Sequence, residues 1–170
     1  MSEDKTVYGT NSSVIKQQPL YNDSSLKIAI DPGNTDSAFI LFSDKTIIDK
    51  GKVENTFLKK IIWDHSPDFA VIEMIASYGM AVGKSVFETC LFIGQLQQLI
   101  GMDKHQLVYR KDIKMHLCGS MRAKDANIRQ ALIDRYGSPG TKKEQGGTYG
   151  ISKDVWSALA VMTYYIDTNK

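Results

Sequence analysis

Apolar and polar positions along this chain follow two distinct periods, and the switches between them mark out the elements. Leu26 to Ile30 is apolar except for Lys27 and rich in β-branched residues, the pattern of a buried strand. Asp31 ends it, and Pro32-Gly33 turns the chain, because proline presets φ and glycine accepts positive φ. Ser37 to Phe42 reads as a second strand, and Thr46 to Val53, entered through Ser43-Asp44-Lys45, as a third. The three form an antiparallel meander. Asn55 to Asp64 then shows helical spacing in Phe57, Leu58, Ile61 and Ile62, with Asn55 as its cap and Pro67 as its stop. Phe69 to Ile72 is apolar on both faces, which calls for a sheet covered by helices on both sides.

Glu73 closes that strand and leads into a glycine-containing segment, Ile75 to Lys84. Ser85 to Ile100 reads as a long helix with Phe87, Cys90, Leu91, Gly94, Leu96 and Leu99 near a common face. A glycine inside a helix costs about 1 kcal/mol relative to alanine, so Gly94 points to close packing against another element. Gln106 to Tyr109 is a short strand, and Asp112 to Leu117 a short helix stopped at Gly119. Ala123 to Tyr136 is a clearer helix closed by Gly137. The glycine-rich stretch from Ser138 to Gly150 reads as a mobile loop, and Ile151 to Ile166 as the last helix, with Ser152 as cap and Asp154 in its first turn. Residues 1–25 are polar without sustained period and read as a flexible arm, leaving 26–170 as one domain.

Composition narrows the class. At 170 residues and 42% hydrophobic, with four prolines, the chain can bury a sizeable core. No apolar run approaches a membrane span and the amino terminus is polar, which favours a cytoplasmic protein with no membrane partner. Cys90 and Cys118 lack metal spacing and read as buried free thiols. A net charge of +2 does not announce a nucleic-acid binder, yet Lys104, Arg110, Lys111, Lys114, Arg122, Lys124, Arg129, Arg135, Lys142, Lys143 and Lys153 crowd the second half. Solvated helix faces account for such a set equally well.

Three acids stand where elements end or begin. Asp31 follows the first strand, Glu73 the fourth, and Asp154 opens the last helix. Each has an ordinary explanation: a turn-former, a surface acid, and an acid favoured by a helix dipole. If the first and fourth strands are adjacent and parallel, however, Asp31 and Glu73 come side by side. Converging carboxylates repel unless cations lie between them, and such a cluster suits two Mg²⁺ or Mn²⁺ ions about 4 Å apart for phosphodiester hydrolysis.

In Ile28-Ala29-Ile30-Asp31-Pro32-Gly33, Ala70-Val71-Ile72-Glu73 and Lys153-Asp154-Val155-Trp156-Ser157-Ala158-Leu159-Ala160, the chain resembles the RuvC-type Holliday junction resolvases, above all those of bacteriophages. The resemblance runs from Leu26 to the C-terminus and implies an α/β fold of the RNase H-like superfamily: a mixed sheet, three-strand antiparallel meander plus parallel strands, flanked by helices on both faces. It also implies a metal-dependent endonuclease on branched DNA, acting in recombination and repair in the cytoplasm (the host's, for a phage protein). Asp31, Glu73 and Asp154 match the family's metal-binding carboxylates, Lys124 its lysine near the scissile phosphate and Lys114 a second such lysine. Tyr78 and Lys84 fall in the segment that the family turns toward the junction centre, where an aromatic ring can stack on an unpaired base. Arg122, Lys142 and Lys143 complete the expected DNA contacts. Ser157 stands where bacterial members carry a fourth carboxylate, with Asp36 and Asp125 as candidate substitutes.

Paired cuts on opposed strands imply a homodimer, with Phe92 and Leu96 of the long helix available as its seam. Flaps and forks are further candidate substrates. A branched-DNA-binding protein without catalysis is the competing reading, motivated by Ser157. A sugar-kinase or actin-like ATPase shares the Asp-x-Gly hairpin, but no second phosphate hairpin accompanies it.

Overall fold

The structure, a computed structural model, describes residues 25–169. The arm expected over 1–25 thus lies, but for Ser25, outside the described residues. Five strands, β1 (Leu26–Asp31), β2 (Asp36–Ser43), β3 (Thr46–Glu54), β4 (Phe69–Met74) and β5 (His105–Tyr109), form one sheet in the order β3-β2-β1-β4-β5. The meander is antiparallel, whereas β4 lies parallel to β1 and β5 parallel to β4. Among the described residues there are five helices: α1 (Asn55–His65), α2 (Lys84–Ile100), α3 (Arg110–Cys118), α4 (Asp125–Tyr136) and α5 (Val155–Thr168).

The strand period of two divides the core. Ile28, Ile30, Phe39, Leu41, Ala70 and Ile72 point to one face and pack with Leu58, Ile62, Phe92, Ile93 and Leu96 of α1 and α2. Ala29, Ala38, Ile40, Phe42, Val71 and Val108 point to the other and pack under α3, α4 and α5. Both faces of β1 and β4 are therefore covered, as their unbroken apolar runs require. Asp31 and Glu73 continue the parity of Ala29 and Val71, so they belong to the face beneath α5.

Several elements differ from the sequence reading. Asn55 does not cap α1; it is the first helical residue, and its side chain turns back to the Asp31 hairpin. The last helix begins at Val155 instead of Ile151, because Lys153 adopts a positive φ of 46° that breaks the helical run before Asp154. The short helix is longer than expected, starting at Arg110 directly after β5. On α2 the expected common face divides: Phe92 and Leu96 are core, not seam, while Phe87 and Leu91 are 59% and 69% exposed. A Cβ on Gly94 would meet nothing within 4 Å, so nothing in the described chain packs closely there.

The stretch from Ser138 to Gly150 is pinned, not loose. Thr141 N donates to Glu144 O, Gly146 N to Pro139 O, and the buried Thr148 hydroxyl to Gly137 O. A Cβ on Gly147 would lie 1.7 Å from Tyr136 O. We expect Gly147→Ala to cost about 1–3 kcal/mol, as overpacking does, and to lower the melting temperature by several degrees in a thermal scan.

Candidate active site

The parallel register of β1 on β4 pairs Ala29 with Val71 and Ile30 with Ile72, so the next step sets Asp31 beside Glu73. The row extends across the whole sheet. Asp31 pairs with Ala38 of β2, Ala38 with Lys52 of β3, and Glu73 with Val108 of β5. Small Ala38 leaves room above it, and the Lys52 Nζ reaches over to Asp154 Oδ2 at 2.6 Å. On the other side, Arg110 follows β5 and donates from Nη1 to Glu73 Oε2 at 3.3 Å and from Nη2 to Asp125 Oδ1 at 2.7 Å. Four acids and two cations thus meet over the ends of β1, β4 and β5.

The turn carrying Asp31 is braced from behind. Asn55 Nδ2 donates to Gly33 O, Ser37 Oγ donates to Asn55 Oδ1, and Gly33 N donates to Ser37 Oγ. A Cβ on Gly33 would come 2.3 Å from Asp36 O, so only glycine fits this close approach. The first residue of α1 therefore fixes the backbone beside the acid.

Burial pushes the Asp31 carboxyl up to about 6; Asp154 adds to the rise, while Arg110, a hydrogen bond from the Ser157 hydroxyl, and Lys52 oppose it. Burial likewise pushes Glu73 up to about 7, with Asp31 adding to it and Arg110 opposing. Asp125 moves the other way, held low chiefly by its Arg110 bond. Asp31, Asp36, Lys52 and Asp154 line a cleft of about 220 Å³. A second of about 360 Å³, on the far side of Asp154, is lined by Arg110, Asp125, Arg129, Lys153, Trp156 and Ser157.

Hard oxygen donors crowded in a desolvated pocket are the chemistry a divalent cation takes, and burial keeps both carboxyls raised in spite of the two side-chain cations. As the side chains stand, no group of three or more acids, histidines or cysteines among the described residues converges on one metal position. Asp154 is engaged by Lys52 and Glu73 by Arg110.

The other sequence candidates fall at different distances from this centre. Lys124 is exposed immediately before α4, next to Asp125, and Lys114 lies near enough to help lower Asp125. Arg122 is exposed in the loop between α3 and α4. Tyr78 is exposed at a positive φ of 48° between β4 and α2, and Lys84, the first residue of α2, pairs with Glu88 instead of the central acids. Lys142 and Lys143 stand exposed at the tip of a hairpin closed by Gly140 and Gln145. Asp36 is exposed on the cleft wall, and Asp125 is spent on Arg110.

Lys52, the role of Arg110 and the Asn55–Ser37 brace were missed from sequence, and Ser157, noted only in the place of a fourth acid, proves to bond Asp31. Lys52 was accessible from hairpin register, since it lies opposite Ala38 and through it Asp31. Arg110 needed the parallel pairing of β4 with β5, which no local pattern reveals.

This topology and this row of groups define an α/β fold of the RNase H-like kind, the fold of the RuvC-type junction resolvases. Thermus thermophilus RuvC superposes with a TM-score of 0.62 at 12% identity, over 84% of this chain and 96% of RuvC. The same protein in complex with Holliday junction substrate gives 0.60 at 10% identity, over 83% and 92%. The yeast mitochondrial Holliday junction resolvase Ydc2 gives 0.58 at 11% identity, over 84% and 79%. No protein-family model and no curated protein matches the sequence.

The raised carboxyls set a pH dependence. Both bind protons more tightly folded than unfolded, so stability is greatest below their ordinary pKa values and falls as pH rises through about 6 and about 7. Urea unfolding in a chelator should show a loss on the order of 2–4 kcal/mol between about pH 5 and pH 8. Glu73→Gln should remove the larger part of that slope. An equal slope in the variant would contradict the assignment.

Proposed function

We propose that the protein is a structure-selective endonuclease that resolves branched DNA, Holliday junctions first among them, by metal-dependent phosphodiester hydrolysis. The observation that carries this reading is the adjacency of Asp31 and Glu73 at the ends of neighbouring parallel strands, with Asp154 at the mouth. Likeness in fold to RuvC and Ydc2 supports it. Asp31, Glu73 and Asp154 would hold Mg²⁺ or Mn²⁺, two ions in all, and the Ser157 hydroxyl helps keep Asp31 ionised where a fourth acid is lacking. Bound there, the ions supply Lewis acidity at the phosphate and a more acidic attacking water. Lys124 and Lys114 hold the phosphate, Arg122, Lys142 and Lys143 the flanking backbone, and Tyr78 with Lys84 the junction centre. Flaps and forks are further candidate substrates, and the cytoplasm (the bacterial host's, for a phage protein) is the setting.

Paired cutting needs two such sites in a homodimer. Phe87, Leu91 and Gly94 lie at i, i+4 and i+7 on the outward face of α2, and open space over Gly94 admits a second helix closely. That stripe is the proposed seam, in place of Phe92 and Leu96.

A non-catalytic branched-DNA binder is the second reading, favoured by the two acids already engaged by Lys52 and Arg110. A labelled four-way junction incubated with and without Mg²⁺ or Mn²⁺ separates the two. We expect metal-dependent nicking that Asp31→Asn abolishes while junction binding persists; binding without nicking at any metal concentration would favour the second reading. Leu91→Glu should convert the dimer to monomer in sedimentation and replace paired cuts with single nicks.

A further inference from the structure

Arg110 occupies a position with two anions and no task assigned to it. Its backbone follows Tyr109, the residue paired with Met74, one step past the Glu73–Val108 pair. Its side chain is 21% exposed, and its guanidinium touches Glu73 of β4 and Asp125 at the start of α4. A planar fork can serve two carboxylates at once, as a lysine ammonium cannot with the same geometry. The two contacts are unequal: 2.7 Å to Asp125 against 3.3 Å to Glu73. The Glu73 contact is the looser one.

We propose that Arg110 is an internal counter-ion that competes with a divalent cation for Glu73, releases that carboxylate when the cation binds, and stays tethered to Asp125 with its freed donors facing a DNA phosphate. The inference deepens the nuclease reading and rests on it. A guanidinium on Glu73 Oε2 competes with a metal for that carboxylate's lone pairs, and a positive charge beside the pocket repels a second one. Lys52 holds Asp154 in the same way from the opposite edge of the sheet. The pairing of the acids with these cations is then a resting state in which side-chain cations offset part of the buried charge. Asp125 adjoins Lys124, so a released Arg110 remains beside the lysine assigned to the scissile phosphate.

Manganese titration by calorimetry, at about pH 8, and nicking of a four-way junction at saturating Mn²⁺ test this together. Arg110→Gln should bind Mn²⁺ severalfold tighter than the wild type, yet cleave on the order of tenfold more slowly, as expected on losing one charged donor to the phosphate. Asp125→Asn, which leaves Arg110 wholly on Glu73, should bind Mn²⁺ more weakly, and it keeps the test open if Arg110→Gln fails to fold in a thermal scan. A merely structural arginine would lower affinity and rate together. Unchanged or weaker Mn²⁺ binding by Arg110→Gln, or tighter binding by Asp125→Asn, overturns the proposal. Wild-type protein that neither binds Mn²⁺ nor cuts would instead sink the nuclease reading and this one with it.

Discussion

Everything at the candidate site follows from one constraint: β1 and β4 run parallel in a register that ends with two carboxylates abreast. Adjacent like charges, lifted out of water, cannot both ionise at ordinary pH without a compensating cation. The fold supplies Arg110 from the start of α3 and Lys52 from β3, one on each side. Even so, burial holds Asp31 and Glu73 well above the usual carboxylate range. The surrounding packing makes the pair unavoidable. Ala29 and Val71 on the same face are packed under α5, and sliding either strand by one residue would carry its carboxylate to the opposite face, into the Leu58–Leu96 cluster.

The same constraint explains how far the sequence could be read. Continuous apolar runs announced β1 and β4 as doubly covered strands, and Asp31 and Glu73 were conspicuous as the polar residues ending them. The meander, the helices and their glycine stops were legible because period and turn chemistry are local. The groups that neutralise the site were not. Lys52 sits in a strand where lysines are unremarkable, and Arg110 looked like one more charge in a basic half. Their roles arise only when β3 and β5 take their places at opposite edges of the sheet.

The helices show a similar division. The apolar spacing of α2 correctly gave a helix, but spacing alone cannot say which stripe faces the sheet, so Phe87 and Leu91 were put on the wrong side. Asn55 has the chemistry of a cap, and its amide instead ties α1 to the Gly33 turn, a use no local pattern distinguishes. Asp154 lies outside the helix it was assigned to, because Lys153 takes a left-handed conformation just before it. It remains the residue just before the helix, but its side chain pairs with Lys52 and makes no cap bond.

Acids from three remote segments sharing bound metal is the claim on which the functional account stands. A crystal grown or soaked in Mn²⁺, with anomalous differences recorded at the manganese edge, examines it most directly. The account predicts density between Asp31 and Glu73, with Asp154 swung from Lys52 toward it. Full-strength diffraction with no anomalous peak in that pocket, and Arg110 still seated on Glu73, would contradict it.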